Sequence, residues 1–481
     1  MKFPPERDEK RKLMSNRDKK TQKNGNVRSG DLRSLLKKKG LKIHFVGIGG
    51  VSMYSLAILS KERGFSVSGS DENKSDRVKS LIDEGVLVTV GHKEEAVSGK
   101  ELIVYSHAIS EDNPERAEAE RLGILQVTRA EFLGELMLKY KTRIGVSGTH
   151  GKSTTTAILN KIFSDAKREP TTLSGSELEG GSPLRQGGDD FLIYESCEYK
   201  DSFLSFSPVI ALALNLEYDH PDYFEDIKAL RKSFVKALSR ASRMAVINLD
   251  DQNLKKIYPT IKKRCEVVTF GSDSGAEYRY FISSFLDGGF VFTLYRFEVE
   301  IGQFEINLPA PHFVTDAVGA VIVALECGIS YGQIREAVAN FSGISRRMEL
   351  LGSRHGRDIY YDYAHHPTEI YATLSALKRS GSDGLTVVFK PHTYSRTKAL
   401  WEEFCAALSL ADRVIITDIY PAREKPIEGI TAKRLAEDIR NATYCPDSGV
   451  AALLSEQGVK GTVVLMGAGD MEKIRYDIFE N

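Results

Sequence analysis

The run Gly148-Thr149-His150-Gly151-Lys152-Ser153-Thr154 has the residue types needed to grip a phosphate. A glycine-rich turn exposes successive backbone N–H groups, and a helix starting there adds its positive end. Lys152 is placed to reach terminal phosphates, and the Ser153 hydroxyl to coordinate Mg²⁺. Residues Arg143-Ile144-Gly145-Val146 precede the loop as a strand, and Ala157, Ile158 and Ile162 follow at helical spacing. Val146 stands where the strict G-x-x-x-x-G-K-[ST] pattern has its first glycine, so the loop is a shortened form. The chemistry it implies is ATP use.

Two acidic stretches follow at expected strand ends, Glu195-Ser196-Cys197-Glu198 and Asn215-Leu216-Glu217-Tyr218-Asp219-His220. Mg²⁺ takes oxygen ligands and shares them with nucleotide phosphates, so a Glu at one strand end and a His or Asp at the next suit such a site. Further on, Asp362-Tyr363-Ala364-His365-His366-Pro367-Thr368-Glu369 and Pro391-His392-Thr393-Tyr394-Ser395-Arg396-Thr397-Lys398 gather ionisable groups suited to a small zwitterion and to phosphate charge. Near the start, Gly47-Ile48-Gly49-Gly50 follows a strand and Asp71 ends the next, a nucleotide-binding arrangement lacking the third fingerprint glycine, whose place Ser52 takes. On that loop alone a dehydrogenase is a rival reading. The phosphate loop and the two regions after it are what a dehydrogenase would not need.

The elements that must position these groups alternate. Lys42–Val46, Phe65–Gly69, Leu102–Tyr105 and Leu125–Val127 read as strands with helices between. Unalternating apolar runs at 191–194, 209–214 and 244–247 suit strands covered on both faces. Residues 278–308 alternate and read as antiparallel strands, and a helix is expected over Thr315–Cys327. Strands at 359–362, 385–389, 413–416 and 462–466 form a last set. The fold class is α/β with parallel, doubly wound sheets. The boundaries expected are a basic tail over 1–40 without a fold of its own, then domains at 41–138, 139–343 and 344–481.

Zero net charge gives no sign of a nucleic-acid partner, and no apolar stretch reaches the roughly 20 residues of a membrane span. The five scattered cysteines form no CxxC pair, which argues against disulfides and structural zinc and for a cytoplasmic setting.

Taken together, Phe45-Val46-Gly47-Ile48-Gly49-Gly50, Gly148–Thr155, Asp362–Glu369, Tyr394–Lys398 and Gly467-Ala468-Gly469-Asp470 resemble the Mur ligases, in order from about Leu41 onward. The resemblance is to the members that join L-alanine to UDP-N-acetylmuramate. It implies a Rossmann-like N-terminal domain for the UDP-sugar, a central P-loop ATPase-like domain and a Rossmann-like C-terminal domain for the amino acid. It implies that ATP activates the sugar's lactyl carboxylate as an acyl phosphate, which the amine of alanine then attacks. Carried over by position, Gly148, Thr149, His150, Gly151, Lys152, Ser153 and Thr154 hold ATP, and Ser153, Glu198 and His220 hold Mg²⁺. Lys152, His365, His392 and Arg396 serve catalysis, and Gly47, Gly49, Gly50, Asp71 and Ser106 the UDP-sugar. Four positions depart from the family pattern: Ser52, Thr393 in place of a common arginine, and Phe313 and Asp316 in place of asparagines that help hold the nucleotide. Two alternatives stand beside this reading: a relative using another amino acid or a peptide, and a non-catalytic UDP-sugar-binding paralogue.

Overall fold

The computed structural model describes residues 30–286, 288–354, 356–379, 384–455 and 461–480. The described residues form two compact units, the first reaching to Lys139 and including Ser205–Ser207, the second from Tyr140–Leu204 and from Pro208 onward.

In the first unit β1 (Lys42–Val46), β2 (Ser66–Asp71), β3 (Leu87–Val90), β4 (Leu102–Tyr105) and β5 (Leu125–Thr128) form a parallel sheet in the order β3-β2-β1-β4-β5. The order reverses between β1 and β4, so a crevice opens at their carboxyl ends, the usual ligand position in such sheets. Ile43, Phe45 and Val46 are buried, and the Phe45 ring meets the edge of Phe132 at 5.6 Å. Strand β3 escapes the sequence reading because it is an edge strand with Leu87 exposed, so no apolar run marks it. The tail expected over 1–40 is shortened from its C-terminal side. Residues 30–35 are helical (α1), Leu32 and Leu36 are buried, and Arg33 pairs with Glu135 at 2.8 Å, while 1–29 lie outside the described residues.

The second unit contains two sheets. One holds β6 (Thr142–Ser147), β7 (Thr171–Leu173), β8 (Leu184–Arg185), β9 (Phe191–Glu195), β10 (Ile210–Ala213), β11 (Met244–Asn248), β12 (Val267–Gly271), β13 (Tyr278–Leu286), β14 (Gly289–Arg296) and β15 (Val299–Ile306). Its order is β15-β14-β13-β12-β11-β10-β6-β9-β7-β8, parallel at the centre with β13–β15 antiparallel at one edge. Helix α2 (Lys152–Asp165) leaves β6 through the phosphate loop and packs against α3 (His312–Glu326). The sequence pattern places the start of α3 at Thr315. The chain enters it at His312, with Pro311 as the preceding cap residue, which puts Phe313 and Asp316 in its first turns.

The other sheet runs β16 (Glu349–Arg354), β17 (Arg357–Asp362), β21 (Thr462–Gly467), β18 (Leu385–Lys390), β19 (Arg413–Ile416) and β20 (Ala442–Tyr444). Helix α4 (Pro367–Arg379) follows β17, and the short α5 (Tyr394–Ala399) follows β18. One apolar cluster reaches from Val146 and Ile158 to Ile370, Leu374 and Val387, so the two sheets share a core and hold as one unit.

Candidate active site

The phosphate loop is shaped by two backbone constraints. Gly148 and Gly151 take φ of 153° and 80°, values that suit glycine. At Gly151 a Cβ would stand 2.2 Å from Oδ1 of Asp316, so the loop closes directly onto α3. The Lys152 ammonium donates to the carbonyls of Gly148 and Thr149 and lies 3.2 Å from Oε2 of Glu198. Burial works against its charge, and Glu198 more than offsets that, so its pKa lies above the usual value. Ser153 and Thr154 are buried in the first turn of α2.

Thr149 and His150 brace the loop. The His150 N–H donates to Oδ1 of Asn215 at 2.8 Å, and the Asn215 amide donates back to the His150 carbonyl at 3.1 Å. The Thr149 hydroxyl accepts from the Glu217 N–H at 2.9 Å. The loop after β10 thus fixes the turn that follows β6, which runs beside it.

A line of charge leads away from the loop. Glu198 is buried, and although burial opposes its ionisation, Lys152 and then His220 hold its pKa below the usual range. His220 Nε2 lies 3.7 Å from Oε1 of Glu198 and 3.7 Å from Oδ2 of Asp219. Asp219 accepts two bonds from Arg396, whose Nη1 is 2.8 Å from Nδ1 of His392. The His392 and His365 rings are 5.8 Å apart. Lys152, Glu198, His220, Arg396, His392 and His365, separated by up to 244 positions in sequence, therefore line one continuous track. Ser153 and Glu198 are hard oxygen donors of the kind Mg²⁺ prefers, and Glu198 is held ionised, so this set fits a divalent cation.

Burial keeps His365 and His392 neutral, lowering them to about 3 and about 4. Neighbouring Glu369 accepts from the backbone N–H groups of His365 and His366 at 3.1 and 3.3 Å and stays ionised against burial beside His150.

A cavity of about 290 Å³ adjoins the loop, lined among others by His150, Thr154, Asp251, Phe313, Asp316 and Arg347. Asp316 is the departure with a chemical consequence. It is buried, its Oδ2 makes no hydrogen bond, and burial raises its pKa to about 8. Phe313 is also buried and stacks obliquely on His312 at 4.2 Å. Sequence reasoning passes over Asp219, Glu369 and Arg347 as site residues. The first two sit inside motifs singled out above, which was the available signal, whereas Arg347 had none.

In the first unit the predicted glycines surround the crevice. Gly47 (φ 80°) donates to the Ser70 carbonyl at 2.8 Å, and Gly50 caps the helix Val51–Glu62. Asp71, expected at a ribose hydroxyl, accepts the Gly49 N–H at 2.9 Å and thereby closes the turn. A Cβ at Gly47 would come within 3.7 Å of the Ser106 hydroxyl, so Ser106 faces the same turn from β4.

Residues 42–141 match the model of the Mur ligase family catalytic domain, 146–324 that of the Mur ligase middle domain, and 346–469 that of the Mur ligase glutamate ligase domain. The chain is 39% identical over 442 residues to a UDP-N-acetylmuramate–L-alanine ligase of Caldicellulosiruptor saccharolyticus, covering 90% of this chain and 97% of that one. It is 40% identical over 443 residues to the enzyme of the same name from Acetivibrio thermocellus, covering 90% and 94%. The crystal structure of UDP-N-acetylmuramate–alanine ligase from Thermotoga maritima has the same fold, with TM-score 0.77, 24% identity and coverage of 92% and 98%. A murein peptide ligase from Psychrobacter arcticus superposes with TM-score 0.71 at 22% identity, covering 92% of this chain and 98% of that one. With three consecutive domain matches over most of its length and near full-length relatives at this identity, the chain belongs to the Mur ligase family.

Proposed function

We propose that the protein is an ATP-dependent ligase that joins L-alanine to the lactyl carboxylate of UDP-N-acetylmuramate, a step of peptidoglycan precursor synthesis. The observation that carries this reading is the continuous track from Lys152 through Glu198, His220, Asp219 and Arg396 to His392 and His365. It joins a phosphate-gripping loop to a buried cluster of imidazole and guanidinium groups, as a reaction needs that first activates a carboxylate and then admits an amine.

A carboxylate is a poor acyl donor. Transfer of the γ-phosphoryl group of ATP to it gives an acyl phosphate and ADP. Attack by the alanine amine then forms the amide and expels phosphate. Two anions meet in the first step, and Lys152 offsets their repulsion and follows the charge onto the transferring group. Mg²⁺, held by Ser153, Glu198 and His220, would supply further charge neutralisation at the phosphates. The loops of Asn215–Glu217 hold the phosphate loop rigid while charge moves. Neutral His365, whose Nδ1 donates to the Tyr363 carbonyl at 2.9 Å, offers its Nε2 lone pair for an ammonium proton once the substrate's charges arrive, while the His392 Nδ1 lone pair accepts from Arg396, which keeps that ring oriented. Among the described residues, no helix is long and apolar enough to cross a membrane. We place the reaction in the cytoplasm, where UDP-linked precursors and ATP are available.

The test is phosphate release from purified protein, ATP, Mg²⁺ and UDP-N-acetylmuramate, with L-alanine, L-serine, glycine or a short peptide added singly. L-Alanine-dependent release of one phosphate per amide formed is expected. Release with the peptide alone would transfer the assignment to a peptide-adding relative, and release with no acceptor would refute the ligase reading.

A further inference from the structure

One cluster, around His150 of the phosphate loop, has side chains that take no part in the steps above. Donor atoms of His150, Glu217 and His366, one from each, lie within 4.8 Å of one another. Nε2 of His150 is 3.4 Å from Oε2 of Glu217, and Nδ1 of His366 is 3.6 Å from the same oxygen. These separations are long for N–H···O bonds, which centre at about 2.9–3.0 Å. They match two ligands of one tetrahedral ion. With bonds of about 2.0–2.1 Å, neighbouring donors stand about 3.3–3.5 Å apart.

The far side of each ring is held as well. His150 Nδ1 is 3.2 Å from Oε1 of Glu369, and His366 Nε2 faces the Tyr218 carbonyl at 3.4 Å. Outer partners of this kind, a carboxylate and a carbonyl, set the tautomer of metal-binding histidines. A proton on Nε2 of His366 satisfies Tyr218, and the Thr368 N–H points at Nδ1 from 3.4 Å, so Nδ1 carries a lone pair. Among the described residues that lone pair is met only by the long contact from the Thr368 N–H and stands 3.6 Å from the Glu217 oxygen, so an entering ion takes it over from that contact. His150 carries the positive charge of the ion-free cluster, its pKa raised against burial to about 9 by Glu369 and then Glu217, so an entering ion displaces its Nε2 proton. The Thr368 hydroxyl donates to the same Glu217 oxygen at 2.5 Å and orients it.

We propose that His150 Nε2, Glu217 Oε2 and His366 Nδ1 form a site for one Zn²⁺-like ion, separate from the Mg²⁺ position at Ser153 and Glu198. Two imidazoles and a carboxylate select Zn²⁺, Co²⁺ or Ni²⁺ over Mg²⁺, which demands oxygen. His150 belongs to the phosphate loop and His366 to the turn before α4, so a bound ion ties the loop of one sheet to the other sheet and stabilises the second unit.

Full-length protein stripped with chelator and returned to excess Mg²⁺ is titrated with Zn²⁺ by calorimetry and with Co²⁺ by visible absorption. One equivalent, Co²⁺ bands of a low-coordinate nitrogen–oxygen site and a raised melting temperature are expected. His366→Asn and Glu217→Gln should each weaken binding at least about tenfold and abolish the thermal shift, while Glu198→Gln keeps both. Circular dichroism checks the fold of each variant, and Glu217→Gln, which keeps an acceptor for Thr368, serves if His366→Asn does not fold. Absence of binding overturns the proposal, as does binding that survives both substitutions. Loss of binding in Glu198→Gln assigns the ion to the Mg²⁺ position and overturns it equally.

Discussion

Arg396 grips Asp219 with two parallel hydrogen bonds, Nε to Oδ1 at 2.9 Å and Nη2 to Oδ2 at 3.1 Å, and both side chains are almost fully buried. The pair links the loop after β10 to α5 across the interface of two sheets. Burial opposes ionisation of Asp219, yet Arg396, with His220, holds its pKa well below the usual range. Removing one partner strands a buried charge, which costs about 3–5 kcal/mol. Arg396→Ala is therefore expected to lose that much stability in urea denaturation, and Arg396→Ala with Asp219→Ala to recover a large part of it. A loss in the double variant equal to the sum of the losses in Arg396→Ala and Asp219→Ala would show that the pair contributes no coupling.

Lys152→Ala removes the charge nearest the transferring phosphoryl group. Phosphate release is expected to fall by at least about 10²–10³-fold, the scale of losing one preorganised charge-stabilising donor. Binding of UDP-N-acetylmuramate, measured by calorimetry, is expected to persist. Activity within tenfold of the parent would remove Lys152 from the chemistry. Because Lys152 also neutralises buried Glu198, the variant should melt at lower temperature.

Asp316 tests the altered nucleotide cavity. Its folded pKa of about 8 exceeds the unfolded value of 3.8, so the folded state holds the extra proton between these limits. Stability contributed by this group is present below pH 4 and is lost as pH rises toward 8. Asp316→Asn, which cannot ionise, is expected to be more stable than the parent at pH 8 by about 1–3 kcal/mol, with the gap closing toward pH 5. Urea melts at the two pH values decide it. The same substitution should alter the KM for ATP more than that for L-alanine.

His392 gives the opposite sign. Burial first, then Arg396, lowers its pKa to about 4, below the unfolded 6.5. The unfolded chain takes the proton first on acidification, so stability is complete above pH 6.5 and falls as pH drops from 6.5 toward 4. The slope contributed by one such histidine approaches about 1.4 kcal/mol per pH unit. His392→Gln, which keeps an acceptor for Arg396, should flatten the acid side of the stability curve. Parallel curves for parent and variant would place the acid sensitivity elsewhere, with His365 the next candidate at about 3.

The amino-acid sequence by itself determined the parts governed by local constraint. Gly148 and Gly151 were legible because left-handed backbone needs glycine, and Lys152 and Ser153 because the helix starts where they stand. The buried strands β6, β9, β10 and β18 were legible from apolar runs. Edge strands β3, β8, β16 and β20 were not, because an edge strand has too little buried surface to leave a pattern, and β7, buried between β9 and β8, was missed because three residues beginning Thr171-Thr172 make no apolar run. Only the tertiary structure decided that Asp219 meets Arg396 across 177 positions, that Asp316 lies beneath Gly151, and that Glu217 stands between His150 and His366. Those meetings depend on strand order, since β10 lies beside β6 and β17 is separated from β18 by β21. Local periodicity specifies which residues are strand and which face is buried, but the pairing of strands is a long-range choice made by packing, and it is packing that turns separate motifs into one site.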